Sequence, residues 1–331
     1  MTQPNDTPQM DSATPASIAP RTPHVAVLIP CYNEELTVAQ VIADFRTALP
    51  AATIYVFDNN SGDGTAAAAL RAGAQVRHVP LRGKGNVVRR MFADIEADAY
   101  LLVDGDDTYE AAIAPTMISK LLDDHLDTVI GVREPVHTEV HRRGHAFGNA
   151  MLSGFLSRLF GSRCADILSG YRVFSRRFVK SFPVLSSGFE IETELTVHAL
   201  ELKMPSAEIA TAFKERPEGS ASKLSTFRDG FRILATMLRL FSAERPLLFY
   251  GLWAVLLALL AIALAVPLFI TYSETGLVPR FPTGILTTGL MLMAALSFFA
   301  GLILDTVTRG RRETRLLAYL ALPAAGTPDC S

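Results

Sequence analysis

The chain has 331 residues, which is enough for one large α/β domain with a smaller appendage. Its 31 lysines and arginines nearly balance its 33 aspartates and glutamates. It therefore lacks the overall positive field that nucleic-acid-binding proteins use to attract phosphate backbones, and we predict no nucleic-acid partner. The three cysteines, Cys31, Cys164 and Cys330, have no paired spacing, which argues against a disulfide framework or a zinc site.

The N-terminal segment, residues 1–23, is rich in proline, threonine, serine and alanine. It lacks the apolar stretch of a signal peptide, and its composition predicts a disordered lead-in. We expect that catalysis does not depend on this segment.

Short β-rich segments alternate with helical patterns from His24 to about Ala210. The predicted strands are continuously apolar, which is typical of parallel strands that helices cover on both faces. The four clearest strands are Val25–Pro30, Thr53–Asn59, Gln75–Pro80 and Tyr100–Asp104. This alternation predicts an α/β fold with a doubly wound, mostly parallel sheet, in which ligands bind beyond the carboxyl ends of the strands.

The strongest single motif, LLVDGDD over residues 101–107, has acidic residues at the end of the fourth predicted strand. Side chains of a strand alternate between its faces, so Asp104 and Asp106 can point the same way and would repel each other without a nearby cation. These carboxylates, together with substrate phosphates, are suited to bind Mg²⁺ or Mn²⁺. An acidic turn that caps the following helix is the alternative.

Polar loops also follow the first two predicted strands, over residues 30–35 (PCYNEE) and 58–65 (DNNSGDGT). Either loop alone is as consistent with a turn and a helix cap as with a binding site. Three such loops at one edge of a sheet indicate a functional site. The Gly83-Lys84-Gly85 segment lacks the third glycine of a dinucleotide fingerprint, and the chain has no P-loop pattern, which argues against nicotinamide and P-loop functions.

The strings IPCYNEE, DNNSGDGT, GKG and DGDD, in this order and spacing, resemble family-two glycosyltransferases of the dolichyl- or polyprenyl-phosphate mannose or glucose synthase type. The resemblance covers about residues 25–240 and implies the GT-A fold. It also implies a nucleotide-sugar site to which all four strings contribute: Pro30, Tyr32, Glu34, Asp58, Asn60, Lys84, Gly85 and Asp104. Within that site Asp104 and Asp106 would bind the metal and the diphosphate.

The same resemblance implies that later basic residues hold the acceptor phosphate. Arginine suits an enzyme with two phosphate-bearing substrates, because its guanidinium group binds phosphate bidentately. The residues assigned to the acceptor phosphate are Arg133, Arg143, Ser222 and Lys223. Those assigned to catalysis are Asp104, Asp106, Arg133, Arg143 and Arg216. Taken singly, the arginines are more typical of a solvated surface, and Glu190 and Glu192 are either helix-start residues or active-site carboxylates.

Two long apolar segments follow, Leu247–Ile270 and Ile285–Leu304, and neither contains a charged residue. A helix needs about 20 residues to cross a bilayer, so both are long enough. Arginines cluster outside the pair and are sparse in the connecting loop, which predicts two spans in the inner or plasma membrane with the catalytic domain and both termini in the cytoplasm. Two buried helices of a soluble core are the alternative.

The predicted organisation has five parts, and its hairpin would also suit a homo-oligomer. The parts are a disordered lead-in (1–23), a cytosolic GT-A domain (24–223), an amphipathic juxtamembrane helix (224–245), a transmembrane hairpin (246–305) and a cytosolic basic tail (306–331). The juxtamembrane helix is equally consistent with an ordinary amphipathic helix that packs on the domain.

The implied activity is inverting, metal-dependent transfer of a sugar from a nucleotide-sugar to a polyisoprenyl phosphate, dolichyl or undecaprenyl, at the cytoplasmic membrane face. Two other functions remain open. The DGDDT string also resembles the nucleophile motif of haloacid-dehalogenase-like phosphatases, although that motif usually follows the first strand of its fold. A catalytically inactive membrane scaffold is the second alternative. A processive polysaccharide synthase is disfavoured, because the chain has no glutamine after Gln75 and so lacks the Gln-x-x-Arg-Trp segment of that family.

Overall fold

The computed structural model of the chain describes residues 22–135, 154–155, 157–158, 166–188, 190–214, 235, 238–278 and 280–326. The predictions for four site residues lie outside the described residues: Arg143, Arg216, Ser222 and Lys223. Most of the predicted lead-in and most of the predicted juxtamembrane helix lie outside them as well.

The described residues contain seven strands that form one sheet. They are β1 (Val25–Cys31), β2 (Thr53–Asp58), β3 (Gln75–His78), β4 (Ala99–Leu102), β5 (Thr128–Pro135), β6 (Arg172–Ser175) and β7 (Ser206–Phe213). Their order in the sheet is β3-β2-β1-β4-β6-β5-β7. All neighbours pair in parallel except β6, which is antiparallel to β4 and β5. The four strands predicted from apolar segments are present, and the mostly parallel α/β sheet is confirmed.

Helices cover both faces of this sheet. They are α1 (Val38–Ala48), α2 (Thr65–Arg71), α3 (Lys84–Asp94), α4 (Ala114–Asp123), α5 (Arg176–Ser181) and α6 (Ile191–Glu201), with a 3-10 turn at Ala111–Ile113. In β1, Val27 and Ile29 join the core formed with α1, α2 and α4. Ala26 and Leu28 join the core formed with α3, α5 and α6. Because both faces of β1 are buried, its sequence is apolar throughout rather than alternating.

Two further helices, α7 (Pro246–Thr275) and α8 (Phe281–Leu320), are long and apolar. Their most apolar windows have mean hydropathies of 2.8 and 2.1, and only 11% of each window is buried. By length and composition, both helices could cross a membrane. The two helices approach each other closely at Gly301. A Cβ atom added there would lie 3.1 Å from the Cβ atom of Tyr250.

The end of α8 packs on the α/β domain. The hydroxyl group of Tyr319 donates a hydrogen bond to the Asp127 carboxylate at 2.8 Å, and Arg315 pairs with Glu201 at 2.5 Å. Residues 306–320, which composition assigned to a separate basic tail, therefore continue the second apolar helix without a break. The change from apolar to basic composition therefore does not mark the end of the helix.

Candidate active site

Parallel pairing brings the carboxyl ends of β1, β2 and β4 to the same edge of the sheet. Cys31 is in register with Asp58, and Leu28 is in register with Leu102. Asp104 follows Leu102 by two residues, so it leaves the sheet at the edge where the first two polar loops begin. The three loops that were predicted from separate motifs therefore lie together at one edge of the sheet.

Side chains connect these loops to one another. The side-chain oxygen of Asn33 accepts a hydrogen bond from the Gly62 backbone N–H at 2.8 Å. The hydroxyl group of Thr37 donates to the Gly105 carbonyl at 2.7 Å. The first loop is thus bonded to the second loop, and Thr37, at the start of α1, is bonded to the acidic loop.

Asn59, which sequence reasoning did not single out, connects the second loop to the segment before α3. Its amide group donates to the Leu81 carbonyl at 2.7 Å, and its side-chain oxygen accepts from the Gly83 N–H at 2.7 Å. Its neighbour Asn60 was predicted to bind the nucleotide. Asn60 donates to the Pro80 carbonyl at 2.6 Å and has a left-handed backbone with φ of 59°, which asparagine tolerates well. Both asparagines shape the loop.

The predicted nucleotide-binding residues of the first two loops lie at this edge. Pro30 is the penultimate residue of β1, and Asp58 is the last residue of β2. Asp58 is buried, and one carboxylate oxygen lies 3.1 Å from Nδ1 of His78. Tyr32 has 36% of its surface exposed, so its ring is accessible to a ligand. Glu34 is half-buried, and its backbone N–H donates to a neighbouring threonine hydroxyl at 2.9 Å.

Lys84 lies between two carboxylates at this edge. Its Nζ atom is 2.6 Å from Oδ1 of Asp104 and 2.6 Å from Oε1 of Glu192. Burial alone would lower the pKa of Lys84, but the charges of Asp104 and Glu192 outweigh burial and hold this pKa well above its usual value. The site therefore contains a permanent positive charge at neutral pH.

Asp106, the second predicted metal ligand, is buried and accepts a hydrogen bond from the Thr108 hydroxyl group at 2.6 Å. In the part of the chain that the structure describes, no three acidic, histidine or cysteine side chains converge on one point. Two carboxylates are still sufficient, because Mg²⁺ and Mn²⁺ take further ligands from water and substrate phosphates. Asp104 and Asp106 therefore fit a divalent cation whose coordination the substrate completes.

The buried thiol of Cys31 is surrounded by the acidic groups of the site. Burial raises its pKa, and four carboxylates raise it further: Glu34, Asp58, Asp104 and Asp106. The thiol is therefore protonated and unreactive at neutral pH. The concentration of negative charge around it is the environment in which a cation binds well.

Two glycines allow the backbone at the start of α3 to approach the segment before α6. A Cβ atom at Gly83, which has φ of 118°, would lie 2.1 Å from the Ser187 carbonyl oxygen. A Cβ atom at Gly85 would lie 2.1 Å from the carbonyl oxygen of Ser186. Any other residue at these positions would displace backbone. Gly85, predicted to line the nucleotide pocket, is buried in this contact.

Arg133 lies near the end of β5 and forms a bidentate pair with Asp166. Its Nε and Nη2 atoms lie 2.7 and 2.8 Å from the two carboxylate oxygens. Burial alone would lower the pKa of Arg133, but the hydrogen bonds to Asp166 raise it. The guanidinium carbon is 5.4 Å from the centre of the Phe213 ring. Asp166 therefore holds the edge of the guanidinium group formed by Nε and Nη2.

The α/β sheet, with a D-x-D pair after β4 and Lys84 beside it, agrees with the class of GT-A glycosyltransferases that the sequence motifs implied. A family model described as glycosyl transferase family 2 matches residues 26–182. The glycosyltransferase AglJ of Haloferax volcanii is 36% identical over 250 residues, which cover 75% of this chain and 81% of AglJ. The chain therefore belongs to glycosyl transferase family 2.

Two more distant similarities agree with this assignment. The dolichyl-phosphate hexose transferase of Haloferax volcanii is 25% identical over 221 residues, which cover 67% of this chain and 95% of that protein. Glucosyl-3-phosphoglycerate synthase from Mycobacterium tuberculosis, crystallised with Mn²⁺, uridine diphosphate and phosphoglyceric acid, superimposes with a TM-score of 0.54 at 22% identity. That match covers 65% of this chain and 78% of the synthase. It supports the GT-A fold.

Proposed function

We propose that this chain is an inverting, divalent-cation-dependent glycosyltransferase that moves a sugar from a nucleotide-sugar to a polyisoprenyl phosphate at the cytoplasmic face of a membrane. One observation carries the proposal: Lys84 and the Asp104–Asp106 pair share a sheet edge, in a chain that also has two helices able to cross a membrane. The likeness to a protein named dolichyl-phosphate hexose transferase supports dolichyl or undecaprenyl phosphate as the acceptor.

The diphosphate of the donor is proposed to bind beside Lys84, Asp104 and Asp106. Mg²⁺ or Mn²⁺ bound by the two aspartates would neutralise the negative charge that develops on the departing nucleoside diphosphate. Lys84 supplies a second, permanent positive charge at the same place. The nucleoside side of the proposed site is formed by the polar loops and the start of α3: Pro30, Tyr32, Glu34, Asp58, Asn60 and Gly85.

The acceptor phosphate is proposed to react without a protein base. A phosphate monoester has a second pKa of about 6, so it is mostly a dianion at neutral pH and can attack the anomeric carbon itself. Attack on the side opposite the leaving group inverts the configuration of that carbon. Arg133 is the described residue proposed to hold this phosphate. Four further residues complete the proposed acceptor and catalytic set: Arg143, Arg216, Ser222 and Lys223.

The phosphatase and the inactive scaffold, the two alternative functions, are each opposed by a different observation. Membership of a glycosyltransferase family removes the support for a haloacid-dehalogenase-like phosphatase. A catalytically inactive membrane scaffold would have no need for a buried lysine shared by two carboxylates, and Lys84, Asp104 and Glu192 are all in place.

A donor panel tests the proposal. Membranes that contain the full chain would be given polyisoprenyl phosphate and a series of radiolabelled nucleotide-sugars, and label would be followed into organic-extractable lipid. One donor should label the lipid, chelation of divalent cations should abolish labelling, and the sugar should have inverted configuration. Labelling of a water-soluble acceptor alone would overturn the lipid assignment. The absence of transfer to any acceptor would favour the scaffold.

The cytoplasmic orientation gives a separate prediction. Arg280 is the one arginine in the loop between α7 and α8, whereas four arginines occur between residues 309 and 315. In intact cells, a membrane-impermeant thiol reagent should modify a cysteine that replaces Ser273, which is exposed at the end of α7, and should leave Cys330 unmodified. The reverse labelling would place the catalytic domain outside the cytoplasm. A homo-oligomer formed through the hairpin stays a prediction.

A further inference from the structure

Glu192, whose role sequence could not decide, is directed into the site rather than to solvent. It lies in the first turn of α6, and only 8% of its side chain is exposed. Its Oε1 atom is 2.6 Å from Nζ of Lys84. A helix-start acid that served only the helix dipole would not need to be buried. The burial of Glu192 therefore accompanies its contact with Lys84.

The backbone around Lys84 and Glu192 holds the two side chains together. Glu194 lies two residues after Glu192 in α6. It accepts hydrogen bonds from the backbone N–H groups of Leu185 and Ser186, both at 2.8 Å. Residues 186–187 lie against Gly83 and Gly85, which flank Lys84. The first turns of α3 and α6 are thus packed through a shared loop, so the Lys84–Glu192 contact follows from rigid elements.

The charges of the site do not cancel. Asp104, Asp106 and Glu192 contribute three carboxylates, whereas Lys84 contributes one ammonium group, which contacts Asp104 and Glu192. This excess of negative charge suits a divalent cation. Asp104 is shared between Lys84 and the proposed cation, and a carboxylate with one strong cationic partner binds a second cation less well.

We infer, building on the proposed function, that Glu192 is a positioning residue that shares the Lys84 ammonium group with Asp104. The Glu192 carboxylate is a counter-ion for the Lys84 ammonium group. Asp104 can therefore bind a divalent cation and the donor diphosphate while Lys84 stays in place. Without Glu192, Asp104 becomes the main partner of Lys84 and competes with the cation. Glu192 does not touch the reacting atoms and is not a base.

Glu192→Gln tests this role because it keeps the size of the side chain and removes its charge. Binding of Mn²⁺ to the detergent-solubilised full chain would be measured by electron paramagnetic resonance, alone and with uridine or guanosine diphosphate. The Mn²⁺ dissociation constant should rise on the order of tenfold, the scale of a lost charge-assisted hydrogen bond. Glu190→Gln, two residues away on the same turn, is the matched control and should bind Mn²⁺ like the wild type.

Kinetics separate positioning from catalysis. In Glu192→Gln, the Mn²⁺ concentration for half-maximal transfer should rise, and saturating Mn²⁺ should restore kcat to within a few-fold of the wild type. A kcat that stays low at saturating Mn²⁺, with normal Mn²⁺ binding, would overturn the inference and favour a base. Wild-type Mn²⁺ affinity in Glu192→Gln would overturn it as well.

If Glu192→Gln does not fold, as judged by its thermal unfolding midpoint, Glu192→Asp keeps the charge but shortens the side chain, and it should weaken Mn²⁺ binding less than tenfold. A Glu192→Asp protein that folds and binds no Mn²⁺ would contradict the inference. If the wild-type chain transfers no sugar to lipid, the proposed function fails, whereas the Mn²⁺ titrations still decide the role of Glu192.

Discussion

Asp104→Asn and Asp106→Asn should each reduce sugar transfer by at least ~10²-fold, the scale of a lost electrostatic contact to the charge that develops on a leaving group. Asparagine keeps the shape of aspartate, and at position 106 it can still accept the hydrogen bond from Thr108. What disappears is the negative charge that holds the cation. Initial rates with the donor identified by the panel, at saturating donor and Mn²⁺, measure the effect.

Asp107→Asn is the control for both substitutions. Asp107 belongs to the same loop and has φ of 56°, a conformation that asparagine adopts readily. Its carboxylate is 3.7 Å from the half-exposed Lys214 ammonium group, which makes a weak ion pair. We expect this variant to keep activity within about threefold, because such a pair contributes roughly 0–1 kcal/mol. Equal losses in all three variants, or full activity of Asp104→Asn, would contradict the proposed metal site.

Asp127→Ala should lower the free energy of unfolding by about 3–5 kcal/mol, the cost of removing one partner of a buried ion pair. Asp127 is fully buried. It accepts hydrogen bonds from Nη2 of Arg177 at 2.9 Å, from the Ser175 hydroxyl at 2.7 Å and from the Tyr319 hydroxyl at 2.8 Å. Its removal leaves Arg177, only 15% exposed, without this counter-ion. Denaturant unfolding in detergent, followed by circular dichroism, measures the loss.

Two variants calibrate that result. Asp124→Ala removes a half-exposed carboxylate that pairs with Lys120 within one helix turn, and it should cost less than about 0.5 kcal/mol. Tyr319→Phe removes only the hydrogen bond between α8 and Asp127, and it should cost about 1 kcal/mol. If Asp127→Ala and Asp124→Ala destabilise the chain equally, the buried cluster does not hold α8 on the domain.

Much of the sheet could be predicted because its signal is local. Strands buried on both faces, such as β1, must be apolar at every position, and polar residues return where each strand ends. The same rule located Asp58 and Asp104 at strand ends. Lys84, Asp104 and Asp106 were predicted as site residues, and the structure places all three at the edge where the loops meet.

Strand and helix partners could not be predicted in the same way. β6 runs antiparallel between β4 and β5, and nothing in its four residues specifies these neighbours. The docking of α8 includes a hydrogen bond between Tyr319 and Asp127, which are 192 residues apart. A basic composition after an apolar helix is typical of a membrane boundary, so it concealed a helix that continues into a packed contact.

The sequence by itself determined the fold class, the acidic strand end and the two apolar segments, because hydrophobic burial and strand alternation leave their pattern in neighbouring residues. Only the tertiary structure decided what those residues contact. It placed Glu192 against Lys84, Asp166 against Arg133, and Asn59 between two loops. A carboxylate that ends at a salt bridge and one that ends in solvent look the same in a sequence, because charge pairing depends on distance in space, and packing of the whole chain sets that distance.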